Sequence, residues 1–367
     1  MSIIIKNTKG TVFEGCDFVV GLPKERENDV KILQITDMQV IDSSQRRYPD
    51  RIRPDEIAAW APENFDAQCG NHIRSLIAQS SPDLIIITGD IVYGSFDDSG
   101  ETLRWMCKLM DSFEIPWAPV FGNHDNESKK GVDWQCEQLE KCEYCLFKRG
   151  SVSGNSNYTV GIAAGDELVR IIHMLDSNGC KDGEDPLIIK APGIYDDQLA
   201  MISNNTARIS NSQGRLVPSF LAFHIPTAEF LEAERAKGYA NDNSDIYCIG
   251  VDVPAKDGDF GFRYKIHSNI IKTSENFANF LKSQGVEGVF VGHVHGACTR
   301  ILYKDIVWVY GLKTGQYDSH IPGSTGGTVI TLQDESFVIR HIPSLVSPAP
   351  MPEKAPMFKD LFTKGEF

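Results

Sequence analysis

The chain has 367 residues, 41% of them hydrophobic and 23% charged, with 50 acidic against 36 basic side chains and a net charge of −14. That composition excludes the fibrous and disordered classes and leaves length enough for a sizeable core. The negative surface repels nucleic-acid phosphates and anionic lipid headgroups, so neither nucleic acid nor membrane is an expected partner.

The opening MSIIIKNTKGTVFEG carries no succession of basic, apolar and small residues marking secretion, so a cytoplasmic location is expected. Residues 1–29 read as an N-terminal segment packing on a core that runs from 30 to 345. Lys31 to Thr36 is a short β-rich run that stops at Asp37. A helix is expected from Asn64 to Gln79, with Phe65, Ile73, Leu76 and Ile77 toward one face. A strand from Leu84 to Thr88 then ends at Gly89-Asp90, a helix covers Leu103 to Met110, and a strand from Pro116 to Phe121 runs into Gly122-Asn123-His124-Asp125. Strand alternating with helix is the pattern of an α/β fold with parallel strands, whose ligand site lies on the loops at the carboxyl ends of the strands.

From Glu127 to Arg215 the pattern weakens. Gly, Asn and Ser cluster at 150–157 and 203–214 around one clear strand, Val169 to Leu175, and covering loops that set specificity are expected here. Ser219 to Phe223, Gly288 to Val291, Ile306 to Tyr310 and Thr328 to Thr331 read as strands of a second sheet. Even the longest apolar runs fall far short of the ~20 residues that span a bilayer. Residues 346–367 hold too many prolines for a packed element and read as a tail. Nine cysteines suit reduced thiols; Cys136, Cys142 and Cys145 contain a C-x-x-C, but no second pair stands at finger spacing.

The residues directly after the apolar strands are Asp37, Asp90, Asn123 with His124, His224, and His293 with His295. Carboxylate and amide oxygens mixed with imidazoles suit first-row transition metals. Two ions ~3.5–4 Å apart clamp the attacking and leaving oxygens of a phosphoryl transfer. Taken singly, such residues mean little: His72, His173, His267, His320 and His341 read as ordinary hydrogen-bonded histidines. Lys313 and Tyr317, with His320, follow the strand ending at Tyr310; they lie within reach of a bound ester, though ordinary surface placement is favoured.

In order, Asp37-Met38-Gln39, Gly89-Asp90, Gly122-Asn123-His124-Asp125, His224 and Gly292-His293-Val294-His295 resemble the calcineurin-like metallophosphoesterase superfamily over roughly residues 30 to 340. The resemblance implies a sandwich of two β-sheets flanked by helices, in four layers α/β/β/α, and a dinuclear hydrolase of phosphate esters in which metal-activated hydroxide attacks in line. It assigns Asp37, Asp90 and His295 to the first metal and Asp90, Asn123, His224 and His293 to the second, with Asp90 as the bridge. It makes His124 the catalytic histidine, with Asp125 accepting the second N–H of that imidazole unless Asp125 is merely a turn residue.

The first motif departs from the superfamily pattern Asp-x-His by carrying Gln39. Purple acid phosphatases lack that histidine too and supply a tyrosine from Gly-Asp-x-x-Tyr, which Gly89-Asp90-Ile91-Val92-Tyr93 resembles; ILQITDMQ and FHIP suggest a single-domain branch of that group. Tyr93 as a ligand implies Fe(III) paired with divalent Fe, Zn or Mn. The alternative is two divalent ions, with Gln39 or water completing the first position. A phosphomonoester, small or on a phosphoprotein, is the expected substrate; a phosphodiester or nucleotide is the rival, and a fold that has lost catalysis is the alternative outside the enzyme class.

Overall fold

The computed structural model describes residues 3–6, 8–44, 59–179, 191–240, 246–264, 270–321, 323–333 and 336–346. Short β-branched and aromatic runs form the strands β1 (Ile3–Ile5), β2 (Phe18–Leu22), β3 (Lys31–Ile35), β4 (Leu84–Thr88), β5 (Trp117–Val120), β6 (Tyr158–Ala164), β7 (Glu167–Met174) and β8 (Ser219–Ala222). They continue with β9 (Ile246–Ile249), β10 (Gly261–Tyr264), β11 (Val286–Val291), β12 (Arg300–Tyr303), β13 (Ile306–Tyr310), β14 (Gly326–Gln333) and β15 (Ser336–Pro343).

One sheet has five strands in the order β15-β14-β3-β4-β5, the other eight in the order β1-β2-β6-β7-β8-β11-β13-β12, and β9 and β10 form a small hairpin. Strands β3, β4 and β5 are parallel, as are β7, β8, β11 and β13. Parallel strands covered on both faces read as unbroken apolar runs, which is why Leu84–Thr88 and Ile306–Tyr310 are buried at every position. Between the sheets, the Phe220 ring meets Phe290 of its own sheet at 5.2 Å and Phe337 of the other at 4.8 Å. Gln34, wholly buried, spans the same gap by donating to Thr88 Oγ1 at 2.9 Å and to the Val291 carbonyl at 3.0 Å. Helix Asn71–Ser80 packs on β3 and β14, while helices Asp196–Gln213 and Phe277–Ser283 pack on β7 and β11. The architecture is the expected helix-flanked two-sheet sandwich.

Several expectations change. Thr328–Thr331 lies in β14, antiparallel to β3 in the first sheet and outside the second one. The 203–214 cluster is not a loop: it lies mostly in the helix Asp196–Gln213, whose Ile202, Thr206 and Ile209 are buried at helical spacing. Asn204 and Asn211 are exposed while Ser203, Asn205, Ser210 and Ser212 are half-buried beside the apolar stripe, Asn205 donating to Thr159 Oγ1 at 3.0 Å, so composition hid the period. The expected helix from Asn64 starts as a π-helical turn, Asp66–Gly70, and becomes regular at Asn71. The N-terminal segment contributes β1 and β2 to the larger sheet, with β2 parallel to β6. Prolines 348, 350, 352 and 356, and His267, lie outside the described residues. No helix among the described residues is long and apolar enough to cross a membrane.

Candidate metal centre

Because β3, β4 and β5 are parallel in one sheet and β8, β11 and β13 in the other, their carboxyl ends meet at one edge of the sandwich. The loops leaving five of those ends carry Asp37, Asp90, Asn123, His224 and the pair His293 and His295. Ligand atoms of Asp90, His224 and His293 lie within 4.8 Å of one another, and so do those of Asp37, Asp90 and His295. Asn123 Oδ1 stands 3.2 Å from His224 Nε2. Asp90 is common to both groups, the position of a bridge.

The backbone is strained where these side chains emerge. Asp37, Gln39, Asp90 and His293 have φ of 55°, 46°, 51° and 70°, a region that costs non-glycine residues roughly 1–3 kcal/mol each and persists only where the surroundings enforce it. Space is equally tight. A Cβ on Gly122 would stand 2.2 Å from Asp90 Oδ1, and one on Gly292 would stand 2.0 Å from Thr36 Oγ1.

The histidine tautomers test whether a cation fits. His224 Nδ1 donates to the Thr88 carbonyl at 2.8 Å, and His295 Nδ1 to the Ser319 carbonyl at 2.7 Å. A neutral imidazole then presents a lone pair at Nε2, and these nitrogens face Asp90 Oδ2 at 3.2 Å and Asp37 Oδ1 at 3.3 Å. Lone pairs opposed to carboxylates repel unless a proton or a metal ion lies between them, and backbone carbonyls fixing the far nitrogen are a usual support of metal-binding histidines. In the metal-free chain, burial opposes charge on His224, yet the Asp90 and Asp37 carboxylates override it and raise its pKa to about 9. Burial likewise acts against ionised Asp37, but His295 and His224 hold it at about 2, and Asp90 is lowered further against its own burial by His224 and His124. The donor set fits metal ions.

The Asp125 assignment is corrected. Its carboxylate accepts the backbone N–H groups of Val92 at 3.0 Å and Gly122 at 2.7 Å, and burial together with the Asp90 charge pushes its pKa up to about 7. The carboxylate beside His124 is Glu127, with Oε2 3.0 Å from Nδ1 and also accepting from Ser95 Oγ at 2.6 Å. A tight turn at Asp125–Glu127 brings it there, and its i, i+3 spacing from His124 was the available signal. Tyr93 is half-buried at the rim; its ring lies on His124, with centroids 4.2 Å apart, and on Phe96.

Ordinary surface placement is overturned for Lys313, Tyr317 and His320, all of which are buried. Lys313 Nζ donates to the Asp37 carbonyl and, at 3.0 Å, to Gln39 Oε1. Burial disfavours its charge while Asp37, Asp318 and Asp90 favour it. Nothing local in the sequence marks this residue, because the fold alone brings the loop after β13 beneath Asp37. The other described histidines have hydrogen-bond partners, His173 with Thr159, His72 with Ser344 and His341 with Thr328. Cys136, Cys142 and Cys145 are free and buried in the core.

Asn126, in the loop that carries Asn123 and His124, also lines a cleft of about 350 Å³ with Ser153, Asn155, Asp176, Asn178 and Asp197. Gly179, on the same wall, packs against Asn123. No lysine or arginine stands among the described residues of that lining.

A family model described as calcineurin-like phosphoesterase matches residues 30–297. Among curated relatives, the "Probable inactive purple acid phosphatase 28" of Arabidopsis thaliana is 41% identical over 249 residues, 63% of this chain and 57% of that protein. The "Probable inactive purple acid phosphatase 29" of the same plant is 24% identical over 286 residues, covering 73% and 67%. This chain spans between 34% and 67% of the length of the curated relatives it matches. The crystal structure of a dimetal phosphatase from Danio rerio superposes with a TM-score of 0.51 at 12% identity, covering 87% of this chain and 98% of that one, a likeness of fold.

Proposed function

Since the chain belongs to the calcineurin-like phosphoesterase family, whose dimetal fold implies two metal ions, we propose that it is a hydrolase of phosphate monoesters. Asp37, Asp90 and His295 would hold one ion, and Asp90, Asn123, His224 and His293 the other. Bound there, the ions supply Lewis acidity toward the ester oxygens and the means of generating a hydroxide nucleophile from water near neutral pH. His124 stands beside Asp90, to which its backbone N–H donates at 2.9 Å, and hands a proton to the leaving oxygen. Glu127 fixes the ring for that transfer by pairing with Nδ1.

The observation that carries this reading is the opposition of His224 and His295 Nε2 to Asp90 and Asp37, which calls for cations. A monoester of a neutral alcohol is favoured over a nucleotide because Asp176 and Asp197 line the neighbouring cleft with no lysine or arginine among its described residues; further phosphates there would meet negative charge. The purple acid phosphatase names of the plant relatives support the same substrate class, with a ferric ion held in part by Tyr93. The test is metal analysis and a visible spectrum of the purified chain, followed by turnover of nitrophenyl phosphate against its bis-ester. Two ions per chain and preference for the monoester are expected, with Asp90→Ala losing both metal and turnover; no bound metal, or full activity in that variant, refutes the proposal. A purple colour lost in Tyr93→Phe assigns the tyrosinate, and a colourless active protein assigns two divalent ions.

The word "inactive" in those relatives' names and the presence of Gln39 favour a second reading, a metal-binding fold without catalysis. It predicts bound metal with no turnover of either ester.

A further inference from the structure

The side chain at the third position of the first motif points its nitrogen at the site. Gln39 Nε2 donates to Asp90 Oδ2 at 3.3 Å, while its oxygen accepts from Lys313 Nζ at 3.0 Å. Both residues are fully enclosed, at 0% and 1% exposure. The ammonium is itself anchored, since Nζ also donates to the Asp37 carbonyl and the Lys313 carbonyl accepts from the Gly326 N–H. An ammonium offers only donors, so of the two ends of the Gln39 amide only the oxygen can pair with it, and the NH2 group is left to face the bridging carboxylate. That group has no lone pair to give a cation.

We propose that Lys313 is a positioning residue that locks Gln39 out of the coordination sphere and so makes the metal position of Asp37, Asp90 and His295 the weaker of two unequal sites. The position of Asp90, Asn123, His224 and His293 then fills first, and the other is occupied only at higher metal concentration. This rests on the dinuclear reading given above in its form with two divalent ions, in which Tyr93 is not a ligand. The occupancy of the second ion, and with it any activity that needs both, thereby becomes a function of metal supply.

The experiment titrates the full-length, metal-free chain with Mn2+, following heat and the free-ion Mn2+ electron paramagnetic resonance signal. Two resolved steps of unequal affinity are expected. Lys313→Met releases the Gln39 oxygen to turn inward and should tighten the weaker step by about tenfold or more, the scale on which residues behind the ligands act, leaving the stronger step unchanged. Lys313→Arg, which still offers only donors, should retain the weak step. In a Gln39→Leu background the gain from Lys313→Met should vanish; a gain that persists there comes from removed charge alone and overturns the proposal. Gln39→His, which provides a ligand whatever Lys313 does, should tighten the weaker step by itself and serves if Lys313→Met does not fold. Two equal steps in the unmodified chain also overturn the inference and leave the hydrolase reading intact, whereas no binding at all refutes that reading instead.

Discussion

Glu127 and Asp125 show how two carboxylates two positions apart take different tasks. Glu127 meets an imidazole and a hydroxyl, so Glu127→Gln should lower turnover by about 10–100-fold with metal content unchanged, a combination read by metal analysis beside kinetics. Asp125 meets two backbone N–H groups. In Asp125→Asn one of them would face an amide NH2, leaving a buried donor unsatisfied at about 1–3 kcal/mol, so the melting temperature should fall. The residues that converge on the candidate site were legible in the sequence because each directly follows an apolar strand and sits in a short motif. The contacts of Glu127, Gln39 and Lys313 were not, since each is set by a partner brought close only by the fold; Lys313 lies 274 positions from the glutamine it pairs with.

Among elements, the three strand–loop units β3, β4 and β5 could be read in order from hydrophobic period alone. Helix Asp196–Gln213 escaped that reading because polar residues crowd its exposed side; the strand at Thr328–Thr331 was read, but its sheet was not, because strand partnership is not written locally. The strand-end loops tolerate little change. Gly122→Ala would press a methyl group against Asp90 Oδ1 and should abolish metal binding in calorimetric titration while circular dichroism stays near that of the parent. Phe220→Ala, which empties a place between two rings of opposite sheets, should cost about 3–5 kcal/mol in denaturant unfolding, with metal stoichiometry kept in the folded fraction.

For the whole molecule, acid stability follows from buried imidazoles. Burial lowers His173, His320 and His341 to about 4 from an unfolded value near 6.5. Between those pH values the unfolded chain binds more protons, so this part of the stability is complete above about pH 6.5 and is lost as pH falls toward 4. His224, raised to about 9, acts oppositely in metal-free protein, contributing below about 6.5 and fading as pH climbs to 9. Melting temperatures of chelated protein should therefore decline on both sides of neutrality, and saturating metal should abolish the alkaline decline, because the ion takes the proton's place. Metal at a thousandfold excess over its Kd should also add about 4 kcal/mol, read as a higher melting temperature than in chelator. The pairing of β3 with β14 has a further consequence, during synthesis. About 290 residues separate the two strands, so at roughly 5–20 residues per second the open side of β3 waits some 15–60 s for its neighbour to leave the ribosome. An unpaired apolar strand is adhesive for that whole interval, so any truncation before Gly326 should be prone to aggregate.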